Sequence, residues 1–296
     1  CENNESILKR FIENTAYPAF KSQKELLENE NLDLVIIEGR NKENYENALL
    51  CIEYKKPFLI EKPGGTNISQ IHEIQKSTTQ NNVFHQVGYH MRYSPSVLYT
   101  KQQLSNKQIG NIHTVRFHAS VQKPWLTNEW FCDPDDRGGL VFLDCCHMID
   151  LIYFLLGDLQ FISGDIIKRT DVQEHPYEDN ATFLLRSNDT LIAGDCCGWE
   201  TNDWIETWNI EMYGDEGTLL VGVHPPRINL YKKDENNNYS WTKWEQLDFD
   251  GNLNYFYELQ DVLNYIKNGN ETMGCTISEA YKTAELIEKA YQNCGL

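Results

Sequence analysis

The sequence predicts a doubly wound α/β unit on a parallel sheet, followed by an α+β unit on a large, mainly antiparallel sheet. Three observations carry this. Short apolar runs alternate with helical periodicity up to about residue 92. After Pro95, runs of alternating pattern follow one another, separated by Asp-Gly, Asn-Asp and Gly-rich turns. Between them, Phe58-Leu59-Ile60-Glu61-Lys62-Pro63-Gly64-Gly65 reads as a buried strand that must turn sharply at its end.

Ile7, Leu8, Phe11 and Ile12 repeat at helical spacing, so residues 5–14 form a helix with Asn3 or Asn4 as its cap. Residues 17–20 are a short extended piece. Ser22 caps a helix over 23–29, and Glu25 three residues on completes a capping box. Residues 32–37 are a strand rich in branched side chains, ended by Glu38-Gly39-Arg40-Asn41. A helix over 43–55, a strand over 57–60, a helix over 69–80 and a strand over 83–89 follow. Strands alternating with helices of this length describe a parallel sheet covered on its faces. Pro63 holds Lys62 extended and has no N–H to continue a ladder. Lys62 therefore stands at the carboxyl end of its strand, the edge where ligands bind in open α/β sheets. The alternative is a solvated lysine at an ordinary turn.

In the second half, a helix over 96–105 precedes strand candidates at 112–121, 161–169, 180–186, 190–196, 207–213, 218–223, 228–232 and 241–247. Helices over 142–156, 253–268 and 278–293 interrupt and close the run. Residues 233–240, with Asn236-Asn237-Asn238, are an exposed hairpin tip.

A net charge of −18 argues against a nucleic-acid partner and against a basic membrane-docking face. No apolar run approaches the roughly 18 residues of a membrane span, and nothing resembles a secretory signal. The nine cysteines are odd in number, include two adjacent pairs and sit mostly in apolar runs, so reduced thiols in a cytoplasmic protein are expected. Cys145-Cys146-His147 suggests a metal, but adjacent residues point apart and no CxxC pair exists, so none is expected.

The order helix, Tyr17-Pro18, helix, "LDLVII", a turn with Asn41, helix, "KKPFLIEKP", helix, "VGYHMRYSP" resembles the Gfo/Idh/MocA family, the inositol dehydrogenase and glucose–fructose oxidoreductase group. The stretches at 138–157, 213–222 and 276–291 match as well, so the likeness spans nearly the whole chain. The resemblance implies an incomplete Rossmann dinucleotide-binding domain over 1–92 and a substrate-binding and oligomerisation domain over 93–296. Family members begin with a strand and a GxGxxG turn, and Cys1-Glu2 matches the end of their second strand. Roughly 30 residues are therefore expected ahead of Cys1. A chain without the glycine loop is expected to bind cofactor poorly.

The same resemblance supplies the site. Lys62 is the lysine that stabilises the reacting oxygen, and His147 moves its proton. On a helix Asp144, His147 and Asp150 share one face, where a carboxylate could fix the histidine's tautomer; a core histidine bonded to a carbonyl is the alternative. The family's aspartate stands four residues before the histidine. Here Leu143 holds that place and Asp144 stands one later, which leaves its contact with substrate open. Arg92 matches a family arginine near the substrate, with a structural ion pair as the alternative. Asn41 and Glu61 match cofactor contacts, although the turn after Gly39 lacks the family's usual proline and histidine. Glu2 would bond the adenosine ribose and favour NAD over NADP. Tyr17, Trp125, Trp130 and Tyr177 could line a sugar site or simply belong to the core.

The expectation is an NAD(P)-dependent oxidoreductase acting on a secondary hydroxyl of a sugar, cyclitol or sugar derivative, homo-oligomeric through its C-terminal sheet. A non-catalytic regulator of the same fold and an inactive remnant of such an enzyme are the rivals.

Overall fold

The computed structural model describes residues 1–122, 133–169, 177–200, 207–233, 236–242, 245–246 and 253–295. Helix α1 (Glu5–Asn14) starts at Asn4, whose side chain accepts from the backbone N–H groups of Ser6 and Ile7. Helix α2 (Gln23–Asn29) starts at Ser22, which accepts from Glu25 N. The Glu25 carboxylate bonds Lys21 N instead of the cap's own N–H, so the expected box closes one residue early. Then follow β1 (Val35–Ile37), α3 (Asn41–Glu53), β2 (Phe58–Glu61), α4 (Ile68–Asn81) and β3 (His85–Gly88).

The three strands form a parallel sheet in the order β1-β2-β3, with Ile37 opposite Ile60 and Glu61 opposite Gly88. Ile37, Phe58, Ile60 and Val87 are buried in one cluster with Ala48, Cys51 and Ile52 of α3 and Ile71 and Ile74 of α4. Full burial of each large aliphatic or aromatic side chain stabilises the fold by roughly 1.5–3 kcal/mol. At the far edge Ile36 is 45 % exposed, and Ile7, Phe11 and Ile12 of α1 also face outward. Helical spacing correctly places those three on one stripe, and among the described residues nothing covers it.

A 3₁₀ turn (His90–Tyr93) leads into α5 (Pro95–Ser105), where Pro95 fills the first helical position and its missing N–H costs nothing. Strand β4 (Ile112–Gln122) is followed by a π turn at Val141–Cys145 and by α6 (Cys146–Leu156). The remaining strands are β5 (Gln160–Ile167), β6 (Asn180–Ser187), β7 (Thr190–Glu200), β8 (Trp208–Gly214), β9 (Gly217–His224), β10 (Arg227–Lys233), β11 (Tyr239–Trp241) and β12 (Glu245–Gln246). They assemble in the order β11-β10-β9-β8-β4-β7-β6-β5, with β12 paired to β10. Every pairing is antiparallel except β4 with β7. Val115, Phe117 and Ala119 of β4 and Met148, Ile149 and Leu151 of α6 belong to the buried core. The single helix expected over 142–156 is thus a π turn plus an α-helix.

Helices α7 (Leu253–Asn268) and α8 (Ile277–Cys294) close the chain and return to the first sheet. Val87 of β3 bridges to Cys275, and α8 packs on α4. Thr276 and Glu279 form a complete capping box at the start of α8. Among the described residues no helix is long and apolar enough to cross a membrane.

Cys1, Cys51, Cys146, Cys197, Cys275 and Cys294 are unpaired in the structure, and Cys132 lies outside the described residues. Cys145 of the π turn and Cys196 of β7, 51 residues apart in sequence, meet side by side across the core. A meeting over that distance comes from packing, which residue spacing does not reveal.

Candidate active site

Strand β2 delivers Glu61 and Lys62 to the carboxyl end of the parallel sheet. The turn beyond it depends on Gly64, whose φ of +97° lies where side-chain-bearing residues are strained. The Lys62 side chain is only 18 % exposed. Its ammonium donates to the carbonyl oxygen of Leu143 and lies 3.7 Å from Asp144 Oδ1. Both acceptors belong to the π turn, which widens the helix and turns carbonyls away from regular i→i+4 bonding.

One turn on, His147 is 4 % exposed. Its ring is walled edge-on by Tyr89 (5.5 Å between centres), His90 (5.1 Å) and Trp208 (6.2 Å). His90 stacks face to face on Tyr255 at 4.1 Å. Five elements therefore meet here: the end of β2, the 3₁₀ turn, α6, β8 and α7. Nδ1 of His147, Nδ1 of His90 and Nε1 of Trp208 are all buried without a hydrogen-bond partner among the described residues. Buried polar atoms are normally paired, so three orphaned nitrogens in one place mark a spot where a polar ligand would complete them.

Burial pulls the Lys62 ammonium down, but Asp144, with smaller contributions from Cys146 and Glu61, lifts it above the usual lysine value. Burial raises the Asp144 carboxyl, and Lys62 pulls it back. Burial, reinforced by Lys62 and then His90, holds His147 well below its ordinary value. His90 falls to about 4, through burial first and then the positive charge of Lys62 and the neighbouring His224. At neutral pH the cluster thus holds one ammonium and two neutral imidazoles.

Beside it, a cavity of about 100 Å³ lies at the carboxyl ends of β1 and β2, lined by Ile37, Glu38, Glu61, Gly88, Tyr255 and Glu258. Burial, then the nearby Glu61, pushes the Glu258 carboxyl up to about 8, and its Oε1 is buried without a partner. The cavity thus lies where ligands bind in open parallel sheets, with three acidic residues and a glycine in its wall.

Of the residues singled out in the sequence, Lys62, Asp144, His147 and Glu61 come together. Asp150 does not serve His147: both of its oxygens accept from Arg92, at 2.6 and 2.8 Å. Arg92 is 1 % exposed and also reaches Glu279, so its guanidinium is engaged in buried ion pairs. Asn41 is buried at the start of α3, its amide donating to Asp136 O at 3.3 Å. Glu2 stands at the start of α1 and accepts from Asn4 N. Tyr17 points to solvent, Tyr177 is half-buried, and Trp125 and Trp130 lie outside the described residues. His90, Trp208, Tyr255 and Glu258 were not anticipated. His90 sits inside the stretch quoted for Arg92, whereas the other three carry no motif.

Residues 1–89 match the family model of an oxidoreductase family with an NAD-binding Rossmann fold, and residues 97–220 match the GFO/IDH/MocA C-terminal domain. The myo-inositol 2-dehydrogenase of Thermotoga maritima is 24 % identical over 175 residues, covering 57 % of this chain and 50 % of that protein. The scyllo-inositol 2-dehydrogenase (NAD(+)) of Bacillus subtilis is 23 % identical over 206 residues, 67 % of this chain and 58 % of that one. The matches thus span half to three-fifths of the length of these curated relatives. A levoglucosan dehydrogenase, solved with NADH and levoglucosan, superposes with a TM-score of 0.88 at 14 % identity, over 99 % of this chain and 87 % of that one.

Proposed function

The chain belongs to the GFO/IDH/MocA family of NAD-binding oxidoreductases, and from that premise we propose that it interconverts a secondary hydroxyl and a ketone on a sugar, cyclitol or sugar derivative. The observation that carries this reading is a charged Lys62 beside two neutral imidazoles and three unpartnered buried nitrogens at the carboxyl edge of a parallel sheet. NAD, when bound, supplies the hydride acceptor.

Lys62 faces the substrate oxygen and donates to it as negative charge develops there. In a dry site that interaction is far stronger than in water, and the Leu143 carbonyl and Asp144 hold the ammonium in place beforehand. His147 is neutral and can take the hydroxyl proton. Glu61 and Lys62 face the nicotinamide side of the cofactor, while Glu2 and Asn41 would contact its ribose groups. Asn41 would do so through its backbone, since its side chain is committed to Asp136. Residues 1–92 act as the nucleotide-binding unit and 93–296 as the substrate unit, with α8 tying the two together. The open face of the large sheet, bearing Arg116, Asp195, Glu211 and Arg227, is the surface through which copies would associate.

The deciding experiment replaces Lys62 with Met and follows NADH formation from NAD+ with myo-inositol, scyllo-inositol and a panel of related sugars. Turnover should fall about 10²–10³-fold, as for loss of an oxyanion donor, a far larger loss than any weakening of NADH binding in a fluorescence titration. A variant as active as the parent would sink the reading. A parent that binds NADH yet oxidises nothing in the panel would point to a regulator.

A further inference from the structure

We propose that His90 is a proton-relay residue: it takes from His147 the proton released by the substrate and passes it out of the buried site. This rests on the dehydrogenase reading above and extends it to a residue outside the Lys62, Asp144 and His147 set.

The argument begins with enclosure. His147 is almost wholly buried, and its ring meets Tyr89, Trp208 and His90. Two of those neighbours are poor carriers. Burial drives the Tyr89 phenol well above its usual value, and an indole N–H only donates. Of the three ring neighbours among the described residues, His90 is the one whose ring nitrogens can both accept and give a proton. It is less buried than His147, and its other face lies against Tyr255, which lines the cavity beyond. A path from the chemistry to that cavity therefore runs through His90. Nδ1 of His90 and Nδ1 of His147 both lack partners among the described residues, and the two rings are in edge-to-face contact, 5.1 Å between centres.

Electrostatics make such an exit necessary. Oxidation breaks the substrate O–H bond, and the electron pair stays on oxygen to form the carbonyl as hydride leaves the carbon for NAD. The proton lands on His147, creating an imidazolium beside the Lys62 ammonium. Like charges at that separation in a low-dielectric site repel strongly, so the proton must move on before the next turnover. His147 returns to its neutral form by giving the proton to His90, which gives it to solvent. Burial and Lys62 depress both imidazoles, so a proton held by either is released downhill at neutral pH. The charged and titratable groups around His90 are Lys62, His147, His224, Tyr255 and, behind Tyr255, Glu61 and Glu258. Glu258, raised to about 8, stands on the cavity side and titrates near neutrality as well.

The test uses the full-length protein with NAD+ and the same panel of inositols and sugars. His90→Ala should lower kcat for oxidation about tenfold or more while KM for the polyol changes less than about twofold, and millimolar free imidazole should restore most of the lost kcat. His90→Gln, which keeps a polar group of similar length, should fold with parental circular dichroism and show the same fall. An unchanged kcat in both variants overturns the relay. So does a fall that imidazole leaves untouched in a folded protein, because that is the signature of a packing role. If the parent itself oxidises nothing in the panel, the dehydrogenase reading fails first and the relay with it, and that outcome is read from the parent alone.

Discussion

Replacing Asp150 with Asn should destabilise the protein by about 3–5 kcal/mol, the usual cost of breaking one side of a buried ion pair. Arg92 is wedged between the 3₁₀ turn, α6 and α8, and three acceptors satisfy it. Its Nε donates to Asp150 Oδ2 at 2.8 Å, its NH2 to Oδ1 at 2.6 Å, and its NH1 reaches Glu279 Oε1 at 3.3 Å. Asparagine has the shape of aspartate but offers one acceptor, so one bond of the fork goes and with it the charge. Each hydrogen bond to a charged group is worth roughly 1.5–3 kcal/mol, and the guanidinium left behind is desolvated with only Glu279 to answer it. Glu279 is partly exposed and also holds the Thr276 cap, which limits how far it can compensate. Urea unfolding at neutral pH, followed by tryptophan fluorescence and circular dichroism, measures the loss. A change below about 1 kcal/mol would refute the claim that this pair locks α6 to the 3₁₀ turn. Arg92→Met gives the complementary check, since a stable variant with a sharply raised KM would return the arginine to the substrate.

Two further outcomes concern other parts of the fold. Because Glu258 is raised from 4.5 to about 8, its contribution to stability is complete below the ordinary glutamate range and is lost as pH rises toward 8. Parental stability should therefore fall by roughly 3–5 kcal/mol between pH 5 and 9 in urea titrations, with the fall much reduced in Glu258→Gln; parallel profiles would contradict it. Gly139 has a φ of +107°, and a side chain there would run into the Glu178 carboxylate that accepts from Val141 N. Gly139→Ala should cost about 2 kcal/mol or more, read as a lowered Tm, and an unchanged Tm would mean the turn before α6 relaxes freely.

Much of the architecture was legible because its signals are local. Asn4 and Ser22 sit where their caps form, and β2 ends where Pro63 and Gly64 require. Lys62 at a strand's carboxyl end followed from that boundary alone. What stayed hidden depends on contacts between distant segments. Helical spacing offered Asp150 to His147 three residues away, yet the carboxylate went to Arg92, 58 positions earlier, because a guanidinium fork satisfies both oxygens at once. The π turn leaves no periodic trace, so the orientation of Asp144 could not be settled from its place in the chain. Trp208, Tyr255 and Glu258 reach the site from elements whose meeting is decided by sheet order and by the return of α7, which residue patterns do not encode.

The displaced carboxylate gives the site its electrical character. Four residues before His147, where the family pattern has an aspartate, this chain has Leu143, and its backbone carbonyl is what the Lys62 ammonium touches. The nearest carboxylate, Asp144, is 3.7 Å away and is itself raised by burial. Asp144 keeps the buried ammonium charged, and the Leu143 carbonyl fixes its direction. The charge of Lys62 in turn depresses His147 and His90 beyond the effect of burial. Stabilising the oxygen and expelling the proton are then two results of one arrangement.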